Sequence, residues 1–478
     1  MLKPLFLVML AVGSMNCSLL FSEAKSNATD AGPPTWRQSN YVKGELAGEK
    51  QRFGVSVSLS GDGATLAIGS RPDSGPGVVD VYIREDGSWA HQQHLVDSAG
   101  ISGDGFGTAL SLSDDGNRLA IGAKDTIQGD KSVGAVFVFA RTESTWTQSH
   151  VIMAPFPDTD DQFGGAVSLS GDGKTLGVGA EGEDGGLGDE ANNTLLDSGA
   201  VYIYGEGFGE WIKLAYLKSS SPRENDGLGH SVSLNRAGDV LAASAILEDS
   251  TQSDSGGVFI FVRSEFEKTV TWSQHSILKA NSPGKEDHFG ESVSLSADGT
   301  RVAIGAKDED GASAGINGDA EDNSASLAGA TYIFAYDGMT TWKQEAYIKA
   351  SNSDEYDWFG ISVALNGPGN TLIVGANHED SAAVGLDGIS ADNTHRKSGA
   401  AYVFVRTETT WSQEAYSKAS NSDADDFFGT SVSIGRDTTT YVVGATGEAS
   451  SSDGLNGDET DNSATKAGAA YIFERIEQ

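Results

Sequence analysis

Three observations predict an all-β chain folded as a seven-bladed β-propeller of four-stranded blades. A Phe-Gly landmark recurs through the 478 residues, no segment carries a helical apolar period, and the two chain ends complete one another. Glycine, at 61 residues, stands well above its usual share of about 7%, as a chain of many tight turns requires.

The landmark stands at Phe53, Phe106, Phe163, Phe289, Phe359 and Phe428, with Leu228 in the remaining slot, and each is followed by glycine. The seven units are spaced 53, 57, 65, 61, 70 and 69 residues apart. A tryptophan lies 17 residues before each landmark, at Trp36, Trp89, Trp146, Trp211, Trp272, Trp342 and Trp411. The residue 16 after it is glycine six times (Gly69, Gly122, Gly179, Gly305, Gly375, Gly444) and Ser244 once. Length varies elsewhere. The step from that glycine to the next aromatic (Tyr82, Phe137, Tyr202, Phe259, Tyr332, Tyr402, Tyr471) runs 13, 15, 23, 15, 27, 27 and 27 residues.

Each unit resolves into four strands. Phe-Gly-x-Ser-Val-Ser-Leu-Ser alternates as a strand with two different faces does. Gly-Asp-Gly, as at 61–63 and 171–173, makes the hairpin turn, because glycine accepts positive φ. Thr-Leu-Ala-Ile-Gly-Ala is the second strand and Gly-Ala-Val-Tyr-Ile-Phe the third. The fourth begins at the tryptophan. In unit five simple alternation puts Trp342, Gln344, Ala346 and Ile348 on one face, and Lys343, Glu345, Tyr347 and Lys349 on the other. The last unit lacks a tryptophan strand, and the chain begins with one that no unit precedes. Residues 35–43 are therefore expected to pair onto 468–475 and close the ring, whereas a solenoid would need capping units.

The net charge is −36 and there is one cysteine, Cys17. So acidic a chain repels phosphate backbones, which excludes nucleic-acid partners. A lone cysteine permits neither an internal disulfide nor a cysteine-based zinc site. Residues 1–24 read as a signal peptide: Lys3 supplies a small positive n-region, Pro4 to Phe21 is mostly apolar, and Ser22-Glu23-Ala24 offers a cleavage point. Residues 25–34 follow as a linker, and 35–478 as the propeller. No later stretch approaches the roughly 20 apolar residues of a membrane helix. The expectation is a secreted or cell-surface monomer; lipidation at Cys17 or an uncleaved anchor are the alternatives.

On the Phe-Gly and Gly-Ala landmarks, the chain resembles the FG-GAP repeat family, whose best-known member is the propeller of the integrin alpha chain. The resemblance covers about 35–478 and is closer to bacterial secreted proteins with a long, tryptophan-containing unit than to the integrins themselves. It implies a propeller that binds partners on the face carrying its blade-to-blade crossovers. Two features depart from the family pattern. The proline of Gly-Ala-Pro is replaced by Lys124, Glu181, Lys307, Asn377 and Thr446. The family calcium loop between first and second strands is reduced, as in Leu-Ser-Gly-Asp-Gly-Ala-Thr-Leu with its one carboxylate, and Thr65, Arg118, Thr175, Val240, Arg301, Thr371 and Thr440 stand where a closing ligand would. Calcium needs six to eight oxygens, so the family sites do not transfer.

The long loops 306–329, 376–399 and 445–468 are the most distinctive candidates. Their acids are Asp308, Asp310, Asp319 and Asp322; Asp380, Asp387 and Asp392; Asp453, Asp458 and Asp461. Three readings stand: solvated loops, loops ordered by calcium or another hard cation, and a direct partner surface. A second set is the aspartate two residues before the landmark: Asp104, Asp161, Asp226, Asp287, Asp357 and Asp426. It either caps a tight turn or forms a carboxylate ring at the mouth of the axial channel. The repeated tryptophans suit inter-blade packing better than sugar stacking. His91 and His94 fall on opposite faces of an alternating strand, and no catalytic triad or carboxylate pair is legible. The expected function is therefore non-enzymatic binding or adhesion, to an extracellular protein or glycan. The alternatives are a hydrolase or lyase with its site over the channel, and a structural envelope or matrix component.

Overall fold

The computed structural model describes residues 35–45, 48–97, 105–267 and 269–476. The signal segment 1–24 with Cys17, the linker 25–34 and Asp104 lie outside them. Seven four-stranded antiparallel sheets follow one another, with no helix among the described residues. In blade one the strands are Phe53–Leu59, Thr65–Ser70, Val78–Glu85 and Ser88–Leu95, in that order from inside to outside. The first strands touch one another around the ring, so they are the innermost. In blade seven the outermost strand is Thr35–Val42, paired antiparallel with Ala469–Ile476 from Thr35 opposite Ile476 to Val42 opposite Ala470. The ring is closed by the N-terminal strand, as the complementary ends require. Among the described residues, no helix is long and apolar enough to cross a membrane.

Burial follows the repeat. Among the described residues the core divides into seven apolar clusters, each built from two adjacent blades. The periodic tryptophans sit in these seams: Trp36, Trp89, Trp146 and Trp411 are buried, and Trp211, Trp272 and Trp342 partly so. Trp146 Nε1 donates to Gln92 of the preceding blade, Trp411 Nε1 to Glu345, and Trp36 Nε1 to Glu414.

The glycine 16 residues after the landmark has a specific cause. A Cβ on Gly375 would lie 2.1 Å from the carbonyl oxygen of Gly429, the landmark glycine of the next blade. The same contact recurs from Gly69 to Gly107 and from Gly444 to Gly54, so blade spacing itself demands glycine there. Between innermost strands, backbone N–H groups donate to serine hydroxyls of the preceding blade: Leu112 to Ser58, Leu169 to Ser111, Leu234 to Ser168, Leu295 to Ser233, Leu365 to Ser294 and Leu59 to Ser433. The seventh seam has Ala364 at that position.

Simple alternation fails in the fourth strand. In all seven blades one residue, three after the tryptophan, is bulged out of the pairing: Ser39, Gln92, Ser149, Leu214, His275, Glu345 and Glu414. A bulge inserts one residue and flips every side chain beyond it. Beyond it Ala346 and Ile348 pack toward blade six and Tyr347 toward blade four, so all three are buried. His91 pairs opposite Tyr82 and His94 opposite Asp80, two ladder positions apart and on one face, contrary to the expectation from alternation. The third strand of blade one also differs from its sequence alignment. Asp80 faces Ile68 in the ladder position held elsewhere by Phe137, Tyr202, Phe259, Tyr332, Tyr402 and Tyr471, and Tyr82 stands two residues further on.

Candidate functional site

Strand direction puts the landmarks, the second-to-third-strand loops and the crossovers on one face, and the hairpin turns on the other. On the loop face the long loops of blades five, six and seven share one backbone path. Positive φ falls at Asn317, Asp387 and Asn456, and again at Leu327, Lys397 and Lys466. Each loop is pinned to its own fourth strand. The side-chain oxygens of Asn317, Asp387 and Asn456 accept from the backbone N–H of Tyr347, Tyr416 and Tyr41.

Beneath each loop lies a buried ion pair: Lys349 with Glu309 at 2.7 Å, Lys418 with Glu379 at 2.8 Å, and Lys43 with Glu448 at 2.6 Å. Burial pulls these three ammonium groups below their ordinary pKa, against the opposing pull of their glutamates. Consecutive loops are tied together as well. Asn393 of the blade-six loop donates to Asp354 in the preceding crossover at 2.8 Å, and Asn462 of the blade-seven loop donates to Asp423 at 2.7 Å. From the crossovers, Asn352 donates to Glu379 and to the Ser390 carbonyl, and Asn421 to Glu448 and to the Glu459 carbonyl.

The loop acids serve mainly as local caps. Asp310 accepts from Leu327 N–H, Asp319 from Glu321 N–H, Asp322 from Ser324 N–H, Asp380 from Lys397 N–H, and Asp458 from Thr460 N–H. Asp461 accepts from the Ser451 N–H and hydroxyl, and Asp308 pairs with His288 at 2.6 Å. Asp392 offers its backbone carbonyl to Ala382, and Asp453 is exposed on the same face. Among the described residues, no three carboxylate, imidazole or thiol groups converge as a metal ion requires. Most of these carboxylates are turned into their own loop backbones, while Asp308 goes to His288 and Asp387 to the fourth strand.

The aspartates before the landmark lie under the crossover turns. Asp161, Asp226, Asp287, Asp357 and Asp426 are each at most 6% exposed. They accept from the N–H three residues earlier, on Asp158, Arg223, Gly284, Asp354 and Asp423. Burial, reinforced by Glu379 and Glu448, pushes Asp357 and Asp426 up to about 8. Their geometry is that of turn caps, with the carboxylates directed into the crossovers.

The axis is lined by Leu59, Leu112, Leu169, Leu234, Leu295, Leu365 and Ile434, which bound a cavity of about 210 Å³. At the hairpin end, successive turns are joined by backbone hydrogen bonds: Asp114 to Gly171, Gly171 to Arg236, Arg236 to Ala297, Ala297 to Gly367, Gly367 to Arg436 and Arg436 to Gly61. Asp114 there receives Arg236 at 2.6 Å and Arg436 at 3.0 Å. At the loop end, residues beginning the innermost strands and following the second strands form a charged cluster. His230 Nδ1 lies 3.0 Å from Glu181 and its Nε2 lies 3.7 Å from Glu291, which also pairs with Lys307 at 2.6 Å. Burial opposes the charge on His230, but the hydrogen bond and charge of Glu181 outweigh it, and the pKa is raised. The cluster therefore places one imidazole and one ammonium group between the carboxylates of Glu181 and Glu291.

Sequence reasoning missed this cluster and the buried Lys–Glu pairs. Both had a signal. The lysines recur seven residues after the tryptophan and the glutamates four residues after the repeated glycine. Glu181 and Lys307 are among the residues that replace the proline after Gly-Ala.

A family model described as FG-GAP repeat matches residues 89–139, 146–204, 272–334, 342–404 and 411–473, together more than half of the chain. No curated protein sequence matches it. Among solved structures, the chain is similar to the β-propeller domain of Myceliophteria thermophila Cps50 (Swd1), at 11% identity and a TM-score of 0.51, over 87% of this chain and 95% of that one. It is also similar to the periplasmic gluconolactonase PpgL of Pseudomonas aeruginosa, at 15% identity and a TM-score of 0.48, over 82% and 98% of the two chains. At such identities the likeness concerns the fold alone.

Proposed function

The chain belongs to the FG-GAP repeat family, and from that premise we propose that it is a secreted, non-enzymatic propeller that binds an extracellular protein or glycan through the loop face of blades five to seven. One observation carries this reading. The three long loops share a single conformation, and hydrogen bonds from the intervening crossovers join them into a continuous arc. A rigid array of exposed polar groups loses little entropy on binding, which is how a scaffold separates stability from recognition. With a net charge of −36, the surface favours a basic partner and a salt-dependent on-rate.

Exchanging whole loops would orphan Lys349, Lys418 and Lys43, so the test alters exposed and half-buried loop carboxylates. Asp319, Asp322, Asp392, Asp458 and Asp461 are each replaced by asparagine, which keeps an oxygen to cap the loop and removes five charges. Wild type and variant are compared on a panel of basic extracellular proteins. Lost binding with an unchanged circular dichroism spectrum supports the proposal, and retained binding places the working surface elsewhere. The alternative of a hydrolase or lyase over the channel draws on Glu181, His230 and Glu291.

A further inference from the structure

Blade one breaks the repeat at one buried position. Six blades place an aromatic ring there, and in five of them it packs against the landmark phenylalanine with ring centroids 5.2 to 5.3 Å apart. In blade one that position is Asp80, and the missing ring leaves a pocket of about 200 Å³ beside Phe53. Asp80 is 2% exposed, yet its carboxylate lines the pocket. His91 Nε2 and His94 Nδ1 each lie 3.0 Å from Asp80 Oδ1 as N–H donors. The bulge at Gln92 makes this possible by turning both imidazoles to one face. Burial raises the Asp80 pKa, but the two imidazoles outweigh it and hold the carboxyl below its ordinary range, so an ionised acceptor faces the cavity.

The rest of the lining is mixed. Phe53, Pro72 and Pro76 give apolar walls, while His94, Gln51 and Ser74 add hydrogen-bonding groups. At the rim is Gly44, where a Cβ would meet Phe53 at 3.1 Å and Asp80 Oδ2 at 3.3 Å. The corresponding residue after the buried lysine is Ala350 in blade five and Ala419 in blade six, so absence of a side chain keeps this pocket open. A ring-sized space with one ionised acceptor suits a ligand having a flat C–H face and several hydroxyl donors. Hydrogen bonds to a carboxylate are among the stronger ones, and few well-placed polar groups in an apolar pocket are what fix a small ligand. We propose that this pocket binds a hexopyranose unit of a saccharide, with Asp80 accepting from its hydroxyls and Phe53 and the prolines against its apolar face.

The test titrates the full chain with the methyl pyranosides of glucose, galactose and mannose, by saturation-transfer NMR and calorimetry. At least one should bind. Asp80→Phe, which restores the ring of the other blades, and Gly44→Ala, a smaller change at the rim, should each weaken binding at least tenfold with the fold intact by circular dichroism. The loop variant with five asparagines should bind the same sugar as wild type, which separates this site from the loop face. Binding of none of the three sugars, binding that survives both pocket substitutions, or binding of phenol without any sugar would overturn the proposal.

Discussion

Two ion pairs of equal length give a sharp test of how the ring is closed. Lys43–Glu448 and Arg52–Asp73 both have N–O distances of 2.6 Å. The first is buried, with side-chain exposures of 0% and 1%, and the second is open, at 41% and 38%. Lys43 follows the N-terminal strand and Glu448 lies in the loop of blade seven, so the buried pair joins the two ends of the chain. Lys43→Met removes the cation and leaves the Glu448 carboxylate buried with the Asn421 and Ser450 N–H donors. Breaking a buried pair in this way costs about 3–5 kcal/mol. Arg52→Met breaks a solvated pair and should cost far less. The double variant Lys43→Met with Glu448→Leu should recover part of the loss, because no charge is then stranded. The assay is urea unfolding followed by tryptophan fluorescence, since Trp36 on the closing strand packs edge-on against Tyr441 at 4.7 Å. Equal destabilisation by Lys43→Met and Arg52→Met, or a double variant no better than the single one, would refute burial as the source of the effect.

Further expectations concern the turn caps and the innermost strands. Asp357 and Asp426, raised to about 8 in the fold, stay protonated there while the unfolded chain loses those protons near pH 4. Their stabilisation is complete below that pH and vanishes as pH rises through about 8, so the free energy of unfolding should fall between pH 5 and 8.5. Asparagine at both positions should reduce that slope, leaving the part due to Asp161 and Asp287, which are raised to about 7; an unchanged slope would show that other groups produce it. Ala364→Ser should supply the hydroxyl missing from the seventh innermost seam, opposite the N–H of Ile434. One hydrogen bond of this kind is worth about 0.5–1.5 kcal/mol; a thermal melt with no gain would mean that the Ala364 seam differs in geometry from the other six.

The repeat itself determined the architecture. A glycine is needed wherever the next blade's carbonyl occupies the place of a Cβ, as Gly429 does over Gly375, so blade spacing is written into the sequence as a fixed 16-residue step. The tryptophan step is fixed for a related reason, because each ring fills a seam between sheets. Ring closure was legible because the unpaired strand at one end matches the missing strand at the other. The buried pairs under the loops could also have been read, since lysine and glutamate recur at constant offsets from those landmarks.

Other features were decided only in three dimensions. A bulge leaves no gap in sequence, yet it inverts the facing of every later side chain, and so His91 and His94 meet at Asp80. The place of Asp80 depends on ladder register, which counting from Gly69 to the next aromatic misassigned by two residues. Glu181, His230 and Glu291 belong to three successive blades and are brought together only at the axis. Sequence spacing encodes contacts along a strand and between neighbouring blades, because those repeat seven times. The residues that break the repeat have no second copy to reveal them, and only the closed ring determines which of them meet.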